Sequence, residues 1–550
     1  MTNCLSAFAL DTSARKKKDA EKLAPEISLS SAESYLMDES HLQGKAEHIF
    51  IPRSEADIIS ILQSARETAT PITLSGGRTG VTGGAVPMGG WLISLSQMNN
   101  MLGLRFIADQ NRFLLRCQPG ASLESINTAI AGKAFPGEDN WSAEAQSALK
   151  MFRESGSYIF PPDPTEKSAT LGGMVACNAS GACTLYYGST RNYVSALRIV
   201  LIDGTLLSLK RGECYADDRQ FRLVLPDGVV RNGLIPRYDM PNVKNAAGYF
   251  SRSGMDLLDL FIGSEGTLGI FSEIEIMLIP APEIILGVIA FFPSESKALT
   301  FVRAARGEHI SGIEKCELIK QPLALEFFDY HALNLLRDQK RIDGSSSSIP
   351  ALLPSAHTAV YIELATSENK LDDTAEALMA LLESCSSQSE TAWTAITPEE
   401  NVRLQEFRHA VPEIINQRIG ERTRTSPGIT KLGTDFAVPD EALFKVMTLY
   451  HEILDEKNLE YVIFGHIGNN HLHVNILPRS QQEYQKGKTI YLNMAKRVVS
   501  YGGTVSAEHG IGKLKKPFLQ LMIGDAGIAD MRKVKQVFDP EGRLNPGNIF

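Results

Sequence analysis

No stretch of this 550-residue chain stays apolar for the roughly 18–20 residues that a bilayer-spanning helix needs. The longest apolar run, Ile284 to Phe292, is far shorter, so insertion is excluded while attachment to a membrane surface is not. Arg15-Lys16-Lys17-Lys18 has no apolar stretch behind it, which excludes a secretory signal. Cysteine is sparse and never spaced Cys-x-x-Cys: Cys4, Cys117, Cys177, Cys183, Cys214, Cys316 and Cys385 are scattered and odd in number. That argues for a reducing, cytoplasmic compartment and against zinc ribbons and cysteine-held iron–sulfur clusters. Basic charge is not in excess either, with 55 Lys plus Arg against 64 Asp plus Glu and a net charge of −9. No global field draws a phosphate backbone, so nucleic acid is not expected as a partner. What is present is ordinary for a globular chain: 43% hydrophobic and 22% charged residues exclude wholesale disorder and a fibrous architecture.

The length allows two or three domains on the usual range of about 100–200 residues each. Residues 1–45 are polar and read as a mobile N-terminal arm. Glu55 to Glu67 carries apolar residues at helical spacing, and Pro71 to Leu74, Trp91 to Leu95 and Phe113 to Cys117 read as strands. The stretches 130–160 and 207–240 are weakly patterned and read as excursions. Ala196 to Leu201 and Leu206 to Leu209 flank Asp203-Gly204, a hairpin turn that supplies positive φ cheaply. After Pro280 strands and helices alternate: Val288–Phe292, Ala359–Leu364 and Asp435–Val438 are each followed by a helical run. This predicts a second α+β layer domain. Its last strand pair is Tyr461–Phe464 and Leu472–Ile476.

Ser75-Gly76-Gly77-Arg78-Thr79-Gly80-Val81-Thr82-Gly83-Gly84 directly follows a predicted strand. Backbone N–H groups without Cβ atoms in the way form a concavity that suits phosphate. The segment does not match Gly-x-Gly-x-x-Gly, so the Rossmann fingerprint is not met. Two further small-residue loops follow: Pro161 to Pro164 with Thr170 to Met174 and Asn178 to Gly181, and then Gly263 to Gly269. Three such loops suggest a long extended ligand lying against backbone.

These loops, in this order and spelling, resemble the FAD-linked D-2-hydroxy-acid dehydrogenases of the vanillyl-alcohol-oxidase/p-cresol-methylhydroxylase superfamily. The most specific pieces are Pro162-Asp163-Pro164 leading to Leu171-Gly172-Gly173, Ile262 to Gly269, Gly465-His466 to Leu472-His473-Val474-Asn475, Ser506-Ala507-Glu508-His509-Gly510, and Leu544-Asn545-Pro546-Gly547. The resemblance runs from Ile51 to Phe550 and implies an α+β architecture. A two-subdomain FAD-binding domain (46–280) carries an α+β cap with an antiparallel sheet (281–500), and residues 501–550 return to the FAD domain. It implies FAD contacts at Ser75, Gly76, Gly77, Arg78, Thr79, Gly80, Gly83 and Gly84. A second set is Pro162, Asp163, Thr170, Gly172, Gly173, Asn178, Ser180 and Gly181, and a third is Gly266, Ile270, Glu508 and Asn545. Relatives that tether their flavin through the first loop place His where this chain has Arg78, so non-covalent FAD is the expectation.

Four of eleven histidines (His466, His471, His473 and His509) lie close together in sequence. His466 and His473 could meet across a short turn, and with Glu508 they would suit Zn²⁺, with Mn²⁺ or Fe²⁺ as alternatives; satisfied core histidines are the bland reading. The family pattern matches all three as metal ligands. His471 stands where the family usually has Asn; it is either an outer partner of the metal or an exposed turn residue. His509 is the proton-transfer candidate, since an imidazole titrates near neutrality, the alternative being a residue that orients Glu508. Arg408 matches the family arginine that would clamp a substrate carboxylate, Lys431 is a weaker cationic candidate, and Asn475 is a polar contact near the reacting centre.

The resulting expectation is oxidation of a D-2-hydroxy acid, D-lactate foremost, to the 2-oxo acid, with the C2 hydride passing to flavin N5 and a metal assisting deprotonation by His509. Glycolate and D-2-hydroxyglutarate are the other substrates considered. Electrons would leave the flavin for a quinone, a cytochrome, an electron-transfer flavoprotein or oxygen. A peripheral place on a membrane and a homodimer stay open. Two other classes compete. A transferase resembling alkyl-dihydroxyacetone-phosphate synthase would carry a run of adjacent histidines, which is missing here. A non-catalytic FAD subunit of a larger complex would have no need of His466, His473, Glu508 and His509 together.

Overall fold

A computed structural model describes residues 25–28, 32–313, 319, 321–344, 349–387 and 391–550. Among these residues the chain builds three main sheets. A small parallel sheet has Trp91–Ser94 at its centre, flanked by His48–Phe50 and Ile72–Ser75. Helix Glu55–Glu67 packs on it through Ile58, Ile61, Leu62 and Ala65. Its start is fixed by a capping box, in which Ser54 accepts from the Asp57 N–H and Asp57 accepts from the Ser54 N–H. The C-terminus returns to this sheet, where Leu544 bridges Ile72.

The second sheet is antiparallel, in the order Met101–Ile107, Arg112–Cys117, Ile270–Pro280, Val194–Val200, Leu206–Lys210, with Tyr158–Ile159 paired to the end of the 270–280 strand. The hairpin at Asp203-Gly204 forms as expected, with Gly204 at φ +84°. The chain then crosses within a few residues into an eight-stranded antiparallel sheet. Its middle runs Ile284–Phe292, Thr358–Thr366, Ala324–Phe328, Tyr461–Gly465, His471–Ile476. Helices cover both faces. The longest, Pro398–Thr425, buries Leu404, Phe407, Val411, Ile415 and Ile419. Among the described residues no helix is long and apolar enough to cross a membrane.

Several expectations need correction. The 130–160 stretch is no excursion: helix Ala143–Glu154, capped by Ser142, buries Ala145, Ala148, Leu149 and Phe152 against the second sheet. Its i, i+3, i+4, i+7 pattern is diluted by charged residues on the outer face. Residues 220–234 form a hairpin whose Phe221 stacks on Phe538 in the C-terminal helix. The described part of the arm is docked. Ile27 donates to the Ile49 carbonyl, Ile51 to the Pro25 carbonyl, and Tyr35 lies under the Arg78 guanidinium at 4.5 Å. Arm residues 1–24 and 29–31 lie outside the described residues. Among the described residues Cys117, Cys177, Cys183 and Cys385 are free thiols.

Phe152 is fully buried among Phe113, Phe135 and Tyr158. Phe152→Ala is expected to cost about 3–5 kcal/mol, the usual span for a large aromatic in a packed core. Urea unfolding measures it, and a loss under about 1 kcal/mol would return this helix to the status of an excursion.

Candidate active site

The glycine loop after strand Ile72–Ser75 forms one wall of a cleft of about 360 Å³. Ser75, Gly76, Gly77, Arg78, Thr79, Gly80 and Gly84 line it from this side. Thr170, Gly172, Gly173, Ser180 and Gly181 line it from a second, and Gly266 and Asn545 from a third. The loop lies so close to its neighbour that a Cβ on Gly76 would collide with Thr170 Oγ1. Gly266, at φ +67°, has its missing Cβ 2.6 Å from Asn545 Nδ2. Asn545 clamps the cleft by accepting from Leu74 N (2.6 Å) and donating to the Glu265 carbonyl (2.7 Å).

The cleft suits a long polar ligand. Among the described residues the N–H groups of Thr79, Gly80, Val81 and Thr82 donate to no protein acceptor, and the buried Ser75 Oγ has no partner. Five expected contact residues do not line it: Gly83, Pro162, Asp163, Asn178 and Ile270. Two of these shape the wall instead. Asp163 accepts from Cys183 N, and Asn178 ends helix Leu171–Cys177 in a left-handed conformation while accepting from Arg191 N.

At one end of the cleft Glu508 and His509 line it, and there it meets the histidine group. His466, His471, His473 and Glu508 each offer a ligand atom, all within 4.8 Å of one another. Strand His471–Ile476 places His471, His473 and Asn475 on one face, because side chains alternate along a strand. The turn at Ile467–Asn469 brings His466 back over them. Neighbours fix the rings: His466 Nδ1 lies 2.6 Å from Glu326 Oε1, and His473 Nδ1 lies 3.1 Å from the Thr434 carbonyl. His471 is fully buried, so the exposed-turn alternative fails.

Three carboxylates hold the site, each with a cation. Glu508 pairs with the buried Lys244 through Oε1 and faces His466 Nε2 at 3.3 Å through Oε2. Glu326 faces Arg408 Nε at 3.6 Å. Asp435 accepts from Lys515 Nζ (2.7 Å), Ser506 Oγ (2.7 Å) and the N–H groups of Glu508 and His509. His509 Nδ1 lies 3.3 Å from the same carboxylate, while its ring remains a third exposed.

Burial alone would raise Glu326, but His466 and Arg408 bring it down to about 2. Burial works against a charged His466, yet Glu326 and Glu508 lift it to about 9. Burial and the neighbouring His473 lower His471 to about 3, and burial with His466 and His509 lowers His473 to about 4. Burial also lowers His509 to about 4, against the opposing pull of Asp435. At His471, His473 and His509 the neutral imidazole that results is the ligating and proton-accepting form.

Arg408 sits on the long helix, largely buried, and among the described residues makes no hydrogen bond to a protein acceptor. Asn475 is buried beside His473. Lys431 donates to Asn416, on the same helix as Arg408, and among the described residues makes no hydrogen bond or ion pair to the histidine group. Sequence reasoning missed Asp435, Lys515, Lys244 and Glu326. Their charged partners lie 80 to 264 residues away in sequence.

The family patterns of the FAD binding domain match residues 46–146 and 141–210, and that of the FAD linked oxidases, C-terminal domain, matches residues 282–549. The chain belongs to the FAD-linked oxidases. It is 29% identical to a D-lactate dehydrogenase of Anaerostipes hadrus over 94% of this chain and 92% of that protein. It is 27% identical to the glycolate oxidase subunit GlcD of Bacillus subtilis (92% and 90%) and 26% identical to a D-2-hydroxyglutarate dehydrogenase of Stutzerimonas stutzeri (93% and 92%). A solved alkyldihydroxyacetonephosphate synthase shares the fold at a TM-score of 0.56 and 15% identity, covering 92% of this chain and 76% of its own. The two-part α+β architecture of the FAD-linked oxidases is thereby established, with an FAD-binding domain at its N-terminal side.

Asp435→Ala is expected to cost about 3–5 kcal/mol, because Lys515 is left buried without its counter-charge. Adding Lys515→Met should recover part of that loss but not all, since the backbone N–H groups of Glu508 and His509 stay unpaired. Urea unfolding of the three variants decides; equal stability of Asp435→Ala and the parent would show that Asp435 is not the anchor.

Proposed function

We propose that this FAD-linked oxidase oxidises a D-2-hydroxy acid to its 2-oxo acid, with D-lactate the foremost substrate and glycolate and D-2-hydroxyglutarate the alternatives. One observation carries the reading: Glu508 and His509, adjacent in sequence, line the cofactor cleft while Glu508 also closes the histidine group. Names of relatives from separate organisms support the substrate class. Bound FAD supplies the hydride acceptor. A divalent metal held by His466, His473 and Glu508 supplies a Lewis acid that acidifies a hydroxyl.

The chain's own residues supply the rest. His509, uncharged and held through Nδ1 by Asp435, takes the hydroxyl proton at Nε2. Arg408 carries guanidinium donors without hydrogen-bond partners among the described residues and takes the carboxylate, while its Nε edge keeps Glu326 charged. Asn475, on the same strand face as the histidines, offers a polar contact to the bound acid. The 15% identity to a transferase carries the fold alone and gives no support to transferase chemistry.

FAD is held without a covalent link, a reading supported by Arg78, whose side chain lies over Tyr35. Denaturing the yellow protein is expected to release flavin into the supernatant; flavin that stays with the precipitated chain would overturn this.

Anaerobic mixing with a panel of 2-hydroxy acids is expected to bleach the flavin band for D acids and glycolate only. His509→Ala should slow bleaching by about 10²–10⁴, the span of a general base, and Arg408→Lys should mainly weaken binding as the planar fork is lost. Bleaching by L acids or by alcohols lacking a carboxylate, or equal rates in His509→Ala, would sink the assignment. Chelation should abolish turnover with the oxidised flavin spectrum intact, and metal-free protein with full activity would remove the metal from the mechanism.

A further inference from the structure

The described residues place not two imidazoles beside Glu508 but three. We infer that His471 is itself a metal ligand, so that the centre is a three-histidine, one-carboxylate site; this rests on the metal reading above and extends it. Three observations converge. The ligand atoms of His466, His471, His473 and Glu508 fall within a single 4.8 Å span. The ring of His471 lies 4.5 Å from that of His473 and 5.2 Å from that of His466, centroid to centroid, so none of the three is set apart.

His471 is also the unsatisfied member. It is fully buried, and neither ring nitrogen makes a hydrogen bond. Nε2 stands 3.0 Å from Asp435 Oδ1 but is not aligned to donate, and Nδ1 has no partner among the described residues. A buried imidazole nitrogen with no partner is unfavourable unless something else takes its lone pair. A cation among the four donors would do so.

The surroundings repeat one arrangement for all three rings. Each has an oxygen acceptor beside one nitrogen, which leaves the other nitrogen to ligate: Glu326 beside His466 Nδ1, the Thr434 carbonyl beside His473 Nδ1, and Asp435 beside His471 Nε2. Metal-ligating histidines characteristically have such an acceptor on the far nitrogen, which fixes the tautomer and orients the lone pair. The arrangement assigns Nε2 of His466, Nε2 of His473 and Nδ1 of His471 to the metal. Three neutral nitrogens and one carboxylate suit Zn²⁺ and comparable first-row cations rather than Ca²⁺ or Mg²⁺, which prefer all-oxygen shells. Such a centre would offer four protein ligands where the two-histidine reading offers three.

The test reads the metal rather than turnover. Metal-free flavoprotein and its His471→Asn variant are titrated with Co²⁺ against a chromophoric chelator, and the visible Co²⁺ bands are recorded. Flavin content and thermal midpoint serve as the check on folding. His471→Asn is expected to bind Co²⁺ at least about 10–100-fold more weakly, since removal of even an outer partner commonly costs that much, and its bands should shift as one imidazole leaves. Equal affinity with unchanged bands would overturn the role of His471 and leave the three-ligand reading standing. Failure of the parent protein to bind Co²⁺ at all would overturn both. X-ray absorption on the Zn²⁺-loaded parent protein needs no variant: three coordinated imidazoles support the inference, and two refute it.

Discussion

A single buried carboxylate holds the site together. Asp435 is fully enclosed, and an isolated ionised carboxylate there would cost far more than a domain's net stability. It is tolerated because nearly every direction around it offers a donor: the Lys515 ammonium, the Ser506 hydroxyl and the N–H groups of Glu508 and His509. Those groups belong to the C-terminal segment, whereas Asp435 enters with the short strand pairing beside His471–Ile476. One ion therefore fixes the approach of two distant stretches of chain. Burial would raise its pKa, but His509 and Lys515 hold it well below the usual carboxylate range, so it stays charged.

The same logic recurs around it. Glu326 with Arg408, Glu508 with Lys244 and Asp435 with Lys515 form three buried pairs that surround the histidines. Pairs of this kind seldom add net stability over an apolar packing of similar volume. What they provide is a set of charges whose positions are fixed before any ligand arrives. His466, between two carboxylates, is held in a field that favours a cation, while burial and neighbouring imidazoles hold His471 and His473 neutral. The group thus presents excess negative potential at one ring and free lone pairs at the others, the combination a divalent ion meets best.

Much of this was legible in the sequence. Glycine loops announce backbone close to a ligand, and the helix Glu55–Glu67 and the hairpin at Asp203-Gly204 follow from periodicity and turn chemistry. His466, His473 and Glu508 come together as their spacing and the family pattern imply. The partners were not legible, for a physical reason. Lys244, Glu326, Asp435 and Lys515 are single charged residues, and a lone charge reads as a solvated surface group until topology brings its counter-ion from a remote segment. His471 is an intermediate case: positions 471, 473 and 475 share one face of any strand that contains them. That alternation was available and would have separated a buried strand residue from a turn residue. The helix Ala143–Glu154 was obscured for the opposite reason, its apolar stripe being narrow and flanked by charge.

The glycine-lined cleft and the histidine group are joined through Glu508 in particular. Its Oε1 faces Lys244 and Ser180, and Ser180 lines the cleft; its Oε2 faces His466. Lys244 also donates to the Gly181 carbonyl, another wall of the cleft. A carboxylate shared in this way cannot turn toward one side without altering its contacts on the other. Lys244 matters here because it supplies Glu508 with a permanent counter-charge from the FAD-domain side and, together with His466, holds the carboxylate well below its usual range. Removing that ammonium would leave Glu508 to draw its charge balance from His466 alone and would tie the proton of that imidazole to the geometry of the cleft. With Lys244 in place, the carboxylate can face both neighbours at once, and the two halves of the site are built as one.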